Sequence, residues 1–368
     1  KLRIGGDVTM LVFVVIIAVY GVIAVYSASY YTAEATYGNG LYYALKQAAG
    51  LAIGLIGMII TANVDYHVYF KKGKWAYLFS LALLALVFVP FLSVEVYGAK
   101  RWINLGFFTI QPSELAKFCF VLFAAEYLAI KPERIKSFKA VLVVLLAGGA
   151  ACALIIIEPN MSITVCVAAV MIIVLFASGM KIKHFLFILV PALIAIPVLI
   201  AIEPYRLKRL SAFLDPFASP KGEGYQLLQS LYGLADGGFF GVGLFKSRQK
   251  YRFLPFAESD FILSVIGEEI GFFGMAVLFA AMLFVVLRGV KIAAKSRDLY
   301  GYILAVGITA VYAVQVMVNA LVVTGSIPPT GLPLPLVSAG NTSLVIFLTF
   351  FGVLYNISKQ SEKNRLRL

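Results

Sequence analysis

The sequence predicts an all-α membrane protein: a polytopic bundle of ten transmembrane helices with a long extracytoplasmic loop between helices seven and eight. Three observations carry this reading. Of the 368 residues, 61% are hydrophobic and only 13% are charged, against roughly 25% charged in an ordinary soluble domain. Mean hydropathy is +0.94. The apolar residues gather in runs of about 20, the length that crosses a bilayer as a helix. A soluble enzyme, a disordered chain and a secreted disulfide scaffold are thereby excluded. The chain reads as one integral membrane domain over 1–368, with 203–260 as the long loop.

The apolar segments lie at 8–28, 43–62, 75–93, 112–130, 138–157, 161–179, 184–202, 261–287, 300–324 and 340–357. None shows the ten-residue alternation of a membrane barrel. With the N-terminus inside, the inner segments carry 19 Lys+Arg, from Lys1 and Arg3 to Lys363, Arg365 and Arg367, and the outer segments carry 10. The positive-inside rule then puts both termini in the cytoplasm. The net charge of +13 would suggest nucleic acid in a soluble protein. Here it sets orientation and attracts membrane lipids, and no nucleic-acid partner is expected.

The loop 203–260 is 58 residues long, a length that is usually functional or disordered. Its aromatic and leucine residues, among them Phe213, Leu228 and Phe239, predict a segment folded back on the outer face, with a short amphipathic helix near 225–235. Gly237-Gly238 and Gly241-Val242-Gly243 read as turns. A second outer loop, 94–111, holds Arg101 and Trp102. Cys119, Cys152 and Cys166 sit in apolar stretches without CxxC spacing, and His67 and His184 sit beside lysines at helix ends, which argues against a His/Cys metal site.

Charges inside spans are expensive and therefore functional candidates. Lys46, Glu114, Lys117, Glu126, Glu268 and Glu269 qualify. Glu114 and Lys117 share a helix face at i, i+3 and can pair. They read either as a structural plug or as the wall of an outward-facing cavity. Glu268 and Glu269 point about 100° apart, so both cannot face one partner and at least one should hydrogen-bond another helix. Glu126, near the inner end of its span, reads as a snorkelling side chain. Asp260 immediately precedes an apolar helix. It reads either as an N-cap or as a carboxylate at the mouth of the bundle, with Glu258 nearby, serving as a base or cation ligand. Arg206, Lys208, Arg209, Lys246, Arg248, Lys250 and Arg252 suit a phosphate or pyrophosphate on the outer leaflet.

Four blocks resemble the SEDS family (shape, elongation, division and sporulation), the group of RodA, FtsW and SpoVE. They are Gln111-Pro-Ser-Glu-Leu-Ala-Lys117, the run from Phe253-Leu-Pro through Ser259-Asp-Phe-Ile to Glu268-Glu269-Ile-Gly271, Gly331-Leu-Pro-Leu-Pro-Leu-Val-Ser338, and the loop order Arg209, Phe213-Leu-Asp-Pro216, Gly224-Tyr-Gln226. The resemblance covers most of the chain. Three positions depart from its pattern: Asn160 stands for the usual Asp, Phe256 for the usual Glu, and Val337-Ser-Ala-Gly-Asn-Thr-Ser343 for VSYGG(S/T)S.

The resemblance implies a peptidoglycan glycosyltransferase that polymerises lipid II at the outer face of the bacterial cytoplasmic membrane, releasing undecaprenyl pyrophosphate. It implies Asp260 as general base, with Glu258 beside it at the substrate. Arg101, Arg209 and Lys250 are then the bases for pyrophosphate, and Glu114 and Lys117 the cavity floor that orients the acceptor sugar. It further implies a class B penicillin-binding protein, a transpeptidase, as partner. No cofactor motif is present. A divalent cation, Mg or Mn, would suit the hard oxygen ligands. A lipid II flippase and a non-catalytic scaffold of the cell-wall machinery are the alternatives, the scaffold favoured by Asn160 and Phe256.

Overall fold

The computed structural model describes residues 5–365, apart from Pro90, Phe91, Tyr97, Gly98, Leu105, Phe107, Phe108, Glu203, Ser219, Lys221 and Glu223. The terminal charges Lys1, Arg3 and Arg367, the loop residue Lys221 and the side chain of Arg206 lie outside the described residues. Twelve α-helices are described: α1 (Val8–Tyr37), α2 (Tyr42–Asn63), α3 (Gly73–Leu86), α4 (Pro112–Ile130), α5 (Phe138–Ile157), α6 (Met161–Ala177), α7 (Ile182–Ile202), α8 (Pro204–Leu214), α9 (Tyr225–Gly237), α10 (Ile262–Lys295), α11 (Leu299–Val323) and α12 (Asn341–Arg365). Six are long and apolar enough to cross a membrane: α1, α2, α5, α10, α11 and the Asn341–Glu362 part of α12.

The expected boundaries shift where capping residues intervene. Helix α1 runs past 28 to Tyr37 and stops where Gly38 adopts φ 65°, returning its N–H to the Glu34 carbonyl. Asp7 caps its start by accepting from Met10 N at 3.1 Å. Helix α9 occupies the amphipathic stretch expected near 225–235.

The all-α expectation needs one correction. Part of the loop 94–111, expected on the outer face, is a three-stranded antiparallel sheet, ordered β1 (Ser93–Val96), β2 (Ala99–Asn104), β3 (Thr109–Ile110). The physical reason is local. Val94 and Val96 alternate with Ser93 and Glu95 over four residues, and Ala99–Asn104 does not alternate cleanly, too short a pattern to register among twenty-residue apolar runs.

The core lies along α4, α11 and α12. Phe118 of α4 packs on Phe347 and Phe350 of α12, with ring centroids 5.1 and 4.3 Å apart. Tyr312 of α11 meets Phe351 edge-on at 5.3 Å. Helix α2 closes onto α12 through small residues. Thr61 donates to the Thr349 carbonyl at 2.7 Å across that contact.

Helix α10 is broken near its start. Gly271 has φ 65° and ψ −172°, so the i→i−4 bonds from Phe272 N to Glu268 O and from Phe273 N to Glu269 O do not form. The loop after α9 replaces them. Val242 N donates to Glu268 O at 2.9 Å and Gly243 N to Glu269 O at 3.0 Å, while Phe272 N and Phe273 N donate to Gly238 O and Phe239 O at 2.9 and 3.0 Å. Four backbone groups that would otherwise be orphaned are thus satisfied by the loop. This is the condition for irregular backbone within a membrane protein interior.

The side chains of Glu268 and Glu269 extend the same junction. Glu268 accepts from Ser247 Oγ, from Arg248 N at 2.7 Å and from Gln249 N at 3.3 Å. Glu269 accepts from Ser27 Oγ of α1 at 2.6 Å and pairs with Lys250 Nζ at 3.4 Å. Both carboxylates therefore hold the loop to the bundle. Glu126 does not snorkel: its Oε2 accepts from Lys74 N at 2.9 Å and caps the start of α3. Lys46 lies on an exposed face of α2, its ammonium 4.3 Å from the Tyr42 ring centroid.

The loop–helix junction leaves no room for a methyl group. A Cβ on Gly241 would stand 2.2 Å from the Glu269 carbonyl oxygen, at φ +82°. Gly241→Ala should lower the thermal unfolding temperature in detergent by several degrees, a loss of about 2–4 kcal/mol. Gly149→Ala, where nothing lies within 4 Å, should match or exceed wild type. Equal behaviour of the two variants would refute the junction.

Candidate active site

Residues from four distant segments converge at one end of the bundle. Asp260 ends the loop before α10, Arg101 comes from β2, Arg209 from α8, and the connection between α11 and α12 (324–340) forms the facing wall. Asp260 does not cap α10. The helix begins at Ile262, its N-cap is Phe261, and no side chain caps it. The Asp260 side chain is half-buried and bonds Ser259. Burial pushes its carboxyl up to about 6, opposed by the nearby guanidinium groups of Arg101 and Arg209 and by the Ser259 bond.

The backbone around Asp260 is fixed by amides and hydroxyls from the core. Asn319 Nδ2 of α11 donates to the Asp260 carbonyl at 2.9 Å and to the Leu332 carbonyl at 2.7 Å. Ser338 Oγ donates to Ser259 O at 2.6 Å, Ala339 N donates to Glu258 O at 2.9 Å, and Gln315 Nε2 donates to Pro333 O at 3.0 Å. Gln47 of α2 holds Ser338 O from the other side at 2.9 Å. Two non-glycine residues beside the site, Phe256 and Leu336, are left-handed, with φ of 56° and 68°, the kind of backbone that persists only where surroundings over-determine it. Gly331 is also left-handed at φ 76°, and a Cβ there would lie 3.1 Å from Asp260 Oδ2. Glycine thus keeps the space in front of the carboxylate open.

The bases are positioned differently from one another. Arg101 donates from Nε to Glu158 O at 3.2 Å and from a terminal nitrogen to Pro159 O, tying β2 to the α5–α6 corner. Arg209 donates to Pro329 O at 3.2 Å, so α8 is tied to the facing wall. Lys250, expected at pyrophosphate, is instead only 4% exposed and paired with Glu269. The reason is its position behind the loop, where the buried Glu269 needs a cation. Glu258 is half-buried close to Asp260, and its carboxyl is raised by burial, then by the Asp260 charge, against its own backbone bond.

Glu114 and Lys117 pair as their spacing implies, at 2.9 Å. They are sealed inside rather than open to an outer cavity, each 1% exposed. Lys117 also donates to Gln315 Oε1 at 2.6 Å, and Glu114 accepts from Ser343 Oγ at 2.7 Å. The pair therefore joins α4 to α11 and α12. Breaking such a buried pair costs about 3–5 kcal/mol.

Asn160 keeps a structural task despite its departure from the family pattern. Its side chain accepts from Ile163 N at 3.3 Å as the N-cap of α6, and Asn caps about as well as Asp. Sequence reading missed Glu158. It is 1% exposed, and neither carboxylate oxygen has a hydrogen-bond partner. Burial pushes its carboxyl up to about 8, although Arg101 nearby opposes this. A carboxylate between two apolar runs was the available signal.

Glu158 gives a pH prediction. Its folded pKa lies above the ordinary 4.5, so the folded protein keeps a proton that the unfolded chain releases. The group's stabilising contribution is complete below about pH 4.5 and declines until about pH 8. Glu158→Gln should flatten the fall in thermal stability across that window. An unchanged slope in the variant would show that Glu158 is ionised in the fold.

The family model for the FtsW/RodA/SpoVE group, described as "Cell cycle protein", matches residues 8–363. A protein of Geobacter sp. (strain M18) named "Probable peptidoglycan glycosyltransferase FtsW" is 39% identical over 355 residues, 96% of this chain and 97% of the relative. "Stage V sporulation protein E" of Bacillus subtilis (strain 168) is 37% identical over 361 residues, 98% and 99% of the two chains. Among solved structures, a chain of a peptidoglycan synthase complex, studied for the coordination of polymerization and crosslinking, superposes with TM-score 0.81 at 25% identity, covering 98% of this chain and 99% of its own. The rod shape determining protein RodA of Thermus thermophilus superposes with TM-score 0.72 at 24% identity over the same shares. The motif blocks and the full-length matches agree: the chain belongs to the FtsW/RodA/SpoVE family.

Proposed function

We propose that this chain is a peptidoglycan glycosyltransferase that polymerises lipid II at the outer face of the bacterial cytoplasmic membrane. The observation that carries the proposal is the meeting of Asp260 with Arg101 and Arg209 at the end of the bundle, the two guanidinium groups close enough to act on its charge. The relatives named as peptidoglycan glycosyltransferases support the same reaction. Helices α1–α7 and α10–α12 form ten spans, α8 and α9 belong to the outer loop, and both termini face the cytoplasm, in keeping with the charge bias.

The reaction joins the C4 hydroxyl of an acceptor GlcNAc to the anomeric carbon of a donor MurNAc. A hydroxyl is a weak nucleophile, and a carboxylate within hydrogen-bond reach raises its reactivity. Asp260 takes the proton as the new C–O bond forms. The bond from the anomeric carbon to pyrophosphate breaks, and undecaprenyl pyrophosphate leaves with the electron pair. That leaving group needs positive charge rather than a proton, and Arg101 and Arg209 supply it. Glu114 and Lys117 brace α4, α11 and α12 behind the site, and Lys250 braces the loop.

Among the described residues no group of three His, Cys, Asp or Glu stands ready to hold a metal ion. A Mg or Mn ion fits here only in the manner usual for Mg, through one or two carboxylates plus substrate phosphates. Glu258 is the carboxylate that would hold it, leaving Asp260 as the base, and it would add positive charge at the pyrophosphate. A class B penicillin-binding protein is the proposed partner. The peptidoglycan synthase complex among the structural neighbours supports such an assembly.

The test is polymerisation of fluorescent lipid II by the purified protein, alone and with a cognate transpeptidase. Wild type should build glycan chains, with a rate that rises through about pH 6 as Asp260 ionises and then levels. Asp260→Asn should lose about 10²–10⁴-fold in rate with its fold intact. Full activity in that variant would remove Asp260 as base. Translocation of lipid II in sealed liposomes without polymer would favour the flippase instead.

A further inference from the structure

At the opposite end of the bundle from Asp260 lies a pocket of about 430 Å³ that the glycosyltransferase reading does not use. It is lined by Asp7, Arg288, Lys291, Lys295, Arg297 and Glu362, with Ser358 and Ser361. Four bases thus face two acids, and the acids are already engaged. Asp7 Oδ2 takes Arg288 Nε at 2.6 Å, and Glu362 Oε2 takes Gly6 N at 2.8 Å. Lys291, Lys295 and Arg297 are exposed and make no ion pair among the described residues.

The pocket's place in the fold narrows what can fill it. Asp7 caps the first turn of α1, Lys291 and Lys295 occupy the last two turns of α10, and Ser358 and Ser361 lie near the end of α12. All three helices are candidate membrane spans. A pocket at the ends of three spans sits at the level of lipid headgroups. Lys295 in the last turn also complements the α10 dipole, but a dipole alone requires neither a cavity nor the neighbouring Lys291 and Arg297. Ser358 and Ser361 give their hydroxyl protons to the Tyr355 and Ile357 carbonyls at 2.7 and 2.8 Å, so the donors left for phosphate oxygens are the ammonium and guanidinium groups of Lys291, Lys295 and Arg297.

We propose that this pocket seats the phosphate of an anionic phospholipid headgroup from the cytoplasmic leaflet. Lys291 and Lys295 supply the charge, Ser358 and Ser361 line the seat, and the Arg288–Asp7 pair forms its floor. The lipid would clamp the N-terminal end of α1 against the C-terminal ends of α10 and α12. The site is independent of the reaction assigned to Asp260, and its test needs no turnover.

Native mass spectrometry of the full chain released from detergent provides that test. Phosphatidylglycerol and phosphatidylcholine of identical acyl chains serve as probes, with inorganic phosphate as competitor. Wild type should retain phosphatidylglycerol over phosphatidylcholine, and inorganic phosphate should not displace it. Lys291→Ala/Lys295→Ala should weaken that retention roughly thirtyfold, about fivefold for each base removed. Lys291→Arg/Lys295→Arg should preserve it. Lys181→Ala/Lys183→Ala, which removes two exposed bases elsewhere, should leave it unchanged. Equal loss in the two alanine variants would overturn the site in favour of general surface charge. Displacement by inorganic phosphate would overturn the lipid as its occupant. Retention in Lys291→Ala/Lys295→Ala equal to wild type would overturn the pocket altogether.

Discussion

The structure depends on the splice between the loop after α9 and the break in α10. Gly271 interrupts the helix, and the four backbone groups it frees are paired with residues 238–243. Buried and unpaired, each would cost several kcal/mol in a membrane interior. Glu268 and Glu269 add side-chain bonds to residues 247–250 and to α1 at the same place. Residues 242–268 thereby form a closed loop whose two ends are joined to each other, and Asp260 lies within it. The carboxylate assigned to the chemistry is held by this closure on one side. On the other it is held by the bonds from Asn319 and Ser338.

Charge is distributed along the molecule by the same logic of pairing. Where an ionisable group is sealed in the bundle, the fold gives it a partner: Lys117 has Glu114 and Gln315, and Lys250 has Glu269. Among the buried carboxylates of the described residues, Glu158 stands without a hydrogen-bond partner, and burial holds its carboxyl protonated near neutrality. At the two ends of the bundle the pattern relaxes. One end brings Arg101 and Arg209 toward Asp260, with Glu258 beside it. The other leaves Lys291, Lys295 and Arg297 around an open pocket. Both arrangements suit the phosphate-bearing lipids proposed as their ligands.

Much of this was legible in the residues, for identifiable reasons. Twenty-residue apolar runs mark helices because a bilayer demands that length, and the amphipathic stretch of α9 showed against the polar loop around it. The sheet at 93–110 escaped because four-residue alternation carries little signal beside those runs. Asp260 stood out as a carboxylate at the edge of a span, yet its two readings could be separated only by seeing that Phe261, not Asp260, occupies the N-cap. Lys250 was placed with the other loop bases because spacing does not reveal that the loop turns it inward to meet Glu269. Asn319, which grips two carbonyls at the site, is an amide within an apolar helix, a signal weaker than a charge.

Amide hydrogen exchange across residues 238–250, in wild type and in Glu268→Ala, reaches the splice most directly. Val242, Gly243, Arg248 and Gln249 should be slow to exchange in wild type. In Glu268→Ala the Arg248 and Gln249 amides should become fast, and lipid II polymerisation should fall with them. Fast exchange of Val242 and Gly243 in the native protein, or full polymerisation by a variant whose loop has come loose, would contradict the dependence of the Asp260 site on this closure.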